Sequence, residues 1–450
     1  MSRRLLAGVA VAASIFTSAQ AAHAAPAHKP YTVAQLMTMD GRSMSAVLNP
    51  LRAAAGAIDA AGRGPDRAIF SGVQLDPGYD GVDVYLTDVS KVHQVIADAN
   101  RLAPGFDTTL VKVFKGAYTQ DQEHAARDSL FAQSHAKELP YTVTGVGAKA
   151  DGTGLTVEVN DVDAARKHYE AHPDVAAVRP FAIAGPVPQV SVPMTFSPSK
   201  KGVSADWSDT KWHDGQPFIG GDVLTTDGGT YCTAGLPTVR NSDGRDILLT
   251  AGHCFGQGQG VYTGGGNTGD YFNGQTGNWV GTEIWNQTEW DMEELDQGTT
   301  NSQPMNNADE SDTDNYIPLT SVSYSYNNDF VCQDGAVSYF SGHGTPCWIK
   351  VYDQDFKDTQ CDQWGCHEVR GVRGNSQAGD YWGAIQGDSG AVVFTISGDN
   401  SRQARGQISM VYGGGYLNFH GASLNYSPDV FWTEAPDILG SGGLSLNSLT

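Results

Sequence analysis

From about residue 219 to the C-terminus, apolar residues come in short runs that alternate with polar ones, each ending in a cluster of Gly, Asn, Asp or Ser. Runs of this form lie at 260–262, 279–284, 321–326, 348–352, 391–396 and 406–412. A period of two sends successive side chains to opposite faces of a pleated strand, so these runs read as strands and the clusters between them as turns. Helical periodicity is nearly absent here. The pattern therefore predicts an all-β region, a sandwich or a barrel. Hydrophobic content of 40% with 54 glycines fits a globular chain rich in turns.

The first two hundred residues differ in texture. Arg3-Arg4, an apolar run over 5–16 and Ala22-His23-Ala24 have the three parts of a secretory signal, predicted over 1–24, and imply a secreted, extracellular protein. Ser2-Arg3-Arg4-Leu5 is also a partial match to a twin-arginine signal. No later segment reaches the length of about 18 apolar residues that a membrane span requires, so no membrane partner is expected. Residues 32–183 contain no cysteine and hold an internal repeat, in which the strand pattern of 81–89 recurs at 154–162. Each copy leads into a helical stretch (90–102 and 163–172) and then a further strand (109–114 and 176–183), with a helical run over 120–138 between the copies. This predicts a small α+β domain with helices on one face of a sheet. A proline-rich linker over 185–193 and the polar Ser197-Pro198-Ser199-Lys200-Lys201 follow.

Charge is distributed unevenly. The chain carries −22 overall, and from Ser197 onward 11 Lys and Arg face 31 Asp and Glu. A face this acidic repels phosphate backbones and excludes nucleic acid as a partner.

Two short segments carry chemistry. The apolar run Leu248-Leu249 ends in Thr250-Ala251-Gly252-His253-Cys254, a strand that stops at a small-residue turn and presents His253. Far downstream, Gln386-Gly387-Asp388-Ser389-Gly390 sets Ser389 between two glycines, which permits a sharp turn with backbone N–H groups aimed at a substrate oxygen. A serine hydroxyl is a poor nucleophile until an adjacent base takes its proton, and the two segments offer one of each.

Together these motifs resemble the chymotrypsin-like serine endopeptidases, and most closely the secreted bacterial streptogrisin and α-lytic type. The resemblance makes His253 the general base, Ser389 the nucleophile, and the N–H groups of Gly387 and Ser389 the oxyanion hole. The histidine-first, serine-last order differs from subtilisin-type and α/β-hydrolase chains. The implied fold is two six-stranded β-barrels with the active site between them, preceded by an α+β pro-domain. Residues 25–196 are then a propeptide, acting as folding aid and inhibitor, and 197–450 the protease domain. Activation cleavage is expected near 199–202 or before Ile219. No cofactor or metal is implied; the expected partners are polypeptide substrates and the chain's own propeptide, and a monomer is expected.

The triad acid must lie between the other two members. Asp291, in Trp290-Asp291-Met292-Glu293-Glu294-Leu295, fits best, with Asp296 and Asp270 as alternatives. Asp388 reads as a buried structural acid paired with a cation. All six cysteines follow residue 230, and an even count in an exported chain predicts disulfides. The resemblance selects Cys232–Cys254 and Cys332–Cys347, leaving Cys361–Cys366. Ile385 stands where many relatives brace the specificity pocket with a cysteine, so packing must hold that pocket. Gly383 stands where trypsin-like members carry an acid, and Ser409, Met410 and Val411 belong to the edge strand beside the pocket. Apolar or aromatic side chains are expected there rather than basic ones. Two other readings share these residues: an inactive or binding protein on the same scaffold, and an esterase using the same triad.

Overall fold

The computed structural model describes residues 29–172, 177–178, 190–198, 202–203, 211–212, 215, 218–227, 231–268, 275–298, 317–362, 365–398, 401–419 and 422–447. The signal sequence over 1–24, most of the linker, Lys200-Lys201 and Asp270 lie outside the described residues.

The N-terminal region has two cores. In the first, helix Gly41–Arg63 is capped by the Asp40 carboxylate, which accepts the Ser43 N–H at 2.8 Å. Its apolar stripe, including Leu48, Leu51 and Ile58, packs against a sheet in which Phe70–Leu75 pairs antiparallel with Val82–Leu86, and Val82–Leu86 pairs parallel with Val111–Lys115. In the second, helices Gln120–His135 and Val162–Ala171 accompany Val143–Ala148, Leu155–Val159 and Met194–Pro198. The two copies of the repeat thus sit in separate sheets, each with its own core, where the sequence led to one shared sheet.

The separation has a cause in pairing. Val143–Ala148 does not return to the first copy but lies antiparallel against Phe356, Lys357 and Asp358 of the long strand Ile349–Asp362. Gly145 and Gly147 allow the approach, since a Cβ on either would fall 2.5 Å from the Phe356 ring or 2.2 Å from the Asp353 carboxylate. An 11-stranded sheet therefore runs from the C-terminal half into the N-terminal region. Buried ion pairs fasten the joint: Arg373 donates to Glu158 at 2.5 Å, and Arg52 is bidentate on Asp329 at 2.8–3.0 Å.

The C-terminal half is mostly β, in several sheets. One has eight strands and includes Tyr231–Thr233, Asp246–Thr250, Trp279–Gln287 and Met292–Asp296. The larger sheet holds Phe330–Gln333, Val392–Gly398, Ser401–Tyr412, Asp429–Glu434 and the hairpin Ile349–Asp362/Gly365–Ser376. Leu236, Ile247 and Met292 of the first meet Val392, Phe394 and Ala404 of the second in one buried cluster. A helix that the strand pattern did not announce, Ala435–Gly442, adds Ile438 and Leu439 to that cluster. The chain then returns as Leu444–Leu446 to pair with Pro237–Arg240, tying both sheets together. Disulfides join Cys232 to Cys254, Cys332 to Cys347, and Cys361 to Cys366 at the hairpin tip. No helix among the described residues is long and apolar enough to cross a membrane.

Candidate active site

Strand Asp246–Thr250 is buried along its whole length and ends by donating the Thr250 hydroxyl to the Thr233 carbonyl at 2.9 Å. Gly252 follows, where a Cβ would sit 2.8 Å from the Met292 N, and the disulfide Cys232–Cys254 holds the turn from the other side. His253 is thereby presented with its imidazole almost buried.

Asp291 reaches beneath it from the next strand over. It ends a single 3₁₀ turn at φ 39°, a left-handed conformation that costs a non-glycine residue about 1 kcal/mol. The strain is offset by what the carboxylate then does. Oδ1 accepts the His253 backbone N–H at 3.0 Å, Oδ2 lies 2.9 Å from His253 Nδ1, and the Ser409 hydroxyl donates to Oδ2 at 2.5 Å. Burial pushes the Asp291 carboxyl upward, but the His253 charge and these hydrogen bonds outweigh it and hold the group below the ordinary carboxylate range.

Ser389 arrives from the larger sheet on a turn where Gly387 has φ 101° and Gly390 has φ 91°. Both values favour glycine. Thr233 fixes the turn by donating its N–H to the Ser389 carbonyl at 2.8 Å and its hydroxyl to the Gly387 carbonyl at 2.6 Å. Ser389 Oγ then lies 2.9 Å from His253 Nε2. Among the described residues the N–H groups of Gly387 and Ser389 have no acceptor in the protein. Hydroxyl, imidazole and carboxylate form one continuous chain of hydrogen-bonding contacts, extended by Ser409.

Asp388 departs from expectation. Among the described residues no cation faces it; its carboxylate accepts from Ser338 N–H at 2.9 Å, Ile385 N–H at 3.0 Å, Gln333 Nε2 at 3.0 Å and the Ser338 hydroxyl. The nearby buried lysine, Lys211, is paired with Asp334 at 2.5 Å. Surrounded by neutral donors and fully buried, Asp388 has its carboxyl pushed up by desolvation.

The residues expected around the specificity pocket divide in two. Gly383 is buried with its N–H on the Ser427 carbonyl at 2.9 Å, and a Cβ there would come 2.8 Å from the Pro428 carbonyl. Val411 packs with Ala384 and Val430, and Met410 with Phe356, Tyr412 and Phe431. Ser409 instead spends its hydroxyl on Asp291. Ile385 packs with Val337, Trp382 and Leu424, apolar contacts standing where a disulfide was absent from the sequence. Of the alternative acids, Asp296 is committed to Arg245 at 2.6 Å. The sulfurs of Cys361 and Cys366 beside His367 are joined to each other, and so offer no thiolate to a metal.

The sequence did not single out Gln360. It is buried on strand Ile349–Asp362, and its side-chain amide Nε2 lies 2.8 Å from His253 Nδ1. Nor did it place Gly202–Val203, whose backbone pairs with Tyr412 and Val411 just past Ser409. The strand expected as an edge, Ser401–Tyr412, lies between Val392–Gly398 and Asp429–Glu434 and is open on one side only beyond the reach of Val392–Gly398, where Gly202–Val203 adds.

No family model and no curated protein matches the chain. Solved structures similar to it include bacterial proteases. A Nocardiopsis protease shares 21% identity over 51% of this chain and 98% of its own length, with a TM-score of 0.34. For the Cellulomonas bogoriensis chymotrypsin the values are 21%, 51%, 98% and 0.33. For Thermobifida fusca protease A they are 21%, 51%, 98% and 0.31.

Proposed function

We propose that this chain is a secreted serine endopeptidase made as a zymogen. The observation that carries the reading is the run of contacts from Ser389 Oγ through His253 to Asp291 and Ser409, at 2.9, 2.9 and 2.5 Å. In the reaction, Ser389 Oγ attacks the peptide carbonyl carbon while its proton passes to His253 Nε2. The tetrahedral oxyanion is taken up by the N–H groups of Gly387 and Ser389. As the C–N bond breaks, His253 returns the proton to the leaving amine, and an ester on Ser389 remains. Water then attacks that ester by the same proton path, releasing the acid and restoring the hydroxyl. Asp291 holds the Nδ1–H tautomer and stabilises the imidazolium.

The N-terminal region is the propeptide in this reading, and the two catalytic sheets close as the two barrels implied by the motifs. Two observations support the zymogen: the shared sheet across Val143–Ala148 and Ile349–Asp362, and the backbone of Gly202–Val203 lying on the short open edge at Val411 and Tyr412, beyond the reach of Val392–Gly398. A chain paired on that edge keeps a substrate strand from adding there. A cut before Ile219 would remove that segment from the protease domain, whereas a cut near 199–202 would leave Val203 on the mature chain, where it must unpair to admit a substrate. Gly383 supports preference for apolar or aromatic side chains, because no carboxylate at that position would pair with a buried cation.

The test is hydrolysis of peptide anilides and matched esters by the secreted protein and by Ser389→Ala. The proposal predicts cleavage of both substrate types, fastest after apolar or aromatic residues, with loss of both in the variant. Activity on esters alone would make the chain an esterase. Equal rates for the parent and Ser389→Ala would remove the serine mechanism altogether.

A further inference from the structure

Among the described residues, Asp291 and Gln360 both lie against His253 Nδ1, and they make incompatible demands. The Asp291 carboxylate needs a hydrogen on that nitrogen, whereas the Gln360 amide nitrogen at 2.8 Å offers one of its own. An amide N–H donated to Nδ1 leaves the imidazole proton on Nε2, and an Nε2 that carries a hydrogen cannot take one from Ser389. Gln360 Oε1 is buried with no partner among the described residues, so the recorded orientation leaves the amide oxygen unused.

The placement of Gln360 is tied to the N-terminal region. It lies two residues beyond Asp358, the last residue of Ile349–Asp362 paired with Val143–Ala148. Asp358 is gripped by Arg373 at 3.0 Å and by the Tyr412 hydroxyl, and Arg373 is held by Glu158 of the N-terminal region. One residue past Gln360, Cys361 is bonded across the hairpin to Cys366. Gln360 is thus fastened on both sides, and one fastening belongs to the segment that the zymogen reading removes.

We propose that Gln360 is a positioning residue that holds His253 in its unproductive tautomer while the N-terminal region is docked, a brake on the unprocessed chain. The inference rests on the reading of Ser389 and His253 as nucleophile and base. When the hairpin edge is released, rotation of the amide presents Oε1 to Nδ1–H, and the same side chain supports the productive tautomer instead.

The experiment uses the full unprocessed chain. A fluorophosphonate is reacted with the parent, Gln360→Ala and Gln360→Met across pH 5–9, and the initial rate of Ser389 labelling is followed. Asp291, which faces His253, and His367, whose charge acts on Asp291, are left in place. A donor to Nδ1 favours the neutral ring, so its removal makes the imidazole easier to protonate. Both variants should label at least about threefold faster at the plateau, with the midpoint of the pH profile raised by about one unit. The methionine preserves side-chain length, so a folding defect in the alanine variant alone does not mask the effect. An unchanged or lowered midpoint, or an unchanged plateau in Gln360→Met, overturns the brake. Absence of Ser389 labelling in all three proteins and in the processed form would instead overturn the protease reading on which it stands.

Discussion

Replacing Asp291 with Asn tests the electrostatics of the site while leaving its shape. Oδ1 of the native side chain accepts the His253 backbone N–H at 3.0 Å, and only the amide oxygen of Asn can take that place. The amide nitrogen then occupies the Oδ2 position, 2.9 Å from His253 Nδ1 and 2.5 Å from the Ser409 hydroxyl. Ser409 adapts by turning its hydroxyl to accept. Nδ1 has no such freedom: it becomes the acceptor of an N–H, the ring proton moves to Nε2, and Ser389 loses its base. The expected cost is about four orders of magnitude in kcat, or about 5.4 kcal/mol of transition-state stabilisation. Because the side chain keeps its volume and its bonds to the His253 N–H, Nδ1 and Ser409, only the Ser409 hydroxyl hydrogen loses an acceptor, and the loss of stability should stay near 1 kcal/mol, about that of one hydrogen bond. The assay is kcat and KM on one peptide anilide at pH 7, alongside a thermal melt of each protein. A loss under tenfold with an unchanged melt would mean that another group orients His253.

Two further outcomes follow from the same geometry. Ser409→Ala removes a donor from a buried carboxylate, an interaction of roughly 1.5–3 kcal/mol, so kcat should fall about ten- to a hundredfold; a change under twofold would show that the hydroxyl does not support Asp291. Glu123 is buried in the N-terminal region, where desolvation pushes its carboxyl up to about 9 despite the Gly154 N–H that it accepts. A group raised in the folded state supports stability below its unfolded value near 4.5 and loses that support as pH climbs through about 9. Denaturant midpoints of the full chain should therefore drop between pH 5 and 8.5, by at most about 1.4 kcal/mol per unit from this residue, and drop less in Glu123→Gln. Parallel curves for the two proteins would contradict the assignment.

How much of this was legible depended on whether the determining contacts are local. His253 and Ser389 could be read because each sits in a five-residue stretch whose glycines mark a tight turn in the sequence itself. Asp291 needed only chain order, the strand pattern ending at Ile284 and the Leu295 that follows it. The strands of the C-terminal half showed themselves by alternation, but their ends did not: 348–352 grew into a 14-residue strand because its partner, Gly365–Ser376, runs beside it for 12 residues. Helix Gly41–Arg63 carries Pro50 inside it, which hides a long helix from a propensity reading. The junction of Val143–Ala148 with Phe356–Asp358 spans more than two hundred residues, and no periodicity encodes which edge a strand will find. Asp388 illustrates the same limit for electrostatics. A buried acid calls for partners, but sequence does not say whether a cation or several neutral donors will supply them, and here Ser338, Gln333 and Ile385 do. Ser409 and Gln360 lie in stretches with no motif, and their roles exist only through side chains brought near from distant strands.

The most direct measurement is peptide mapping by mass spectrometry after the protein has reacted with a fluorophosphonate. The account predicts a single adduct on Ser389, greatly diminished in His253→Ala, because the hydroxyl is nucleophilic only through that imidazole. An adduct on another residue, or one formed on Ser389 as fast without His253 as with it, would contradict the account at its centre.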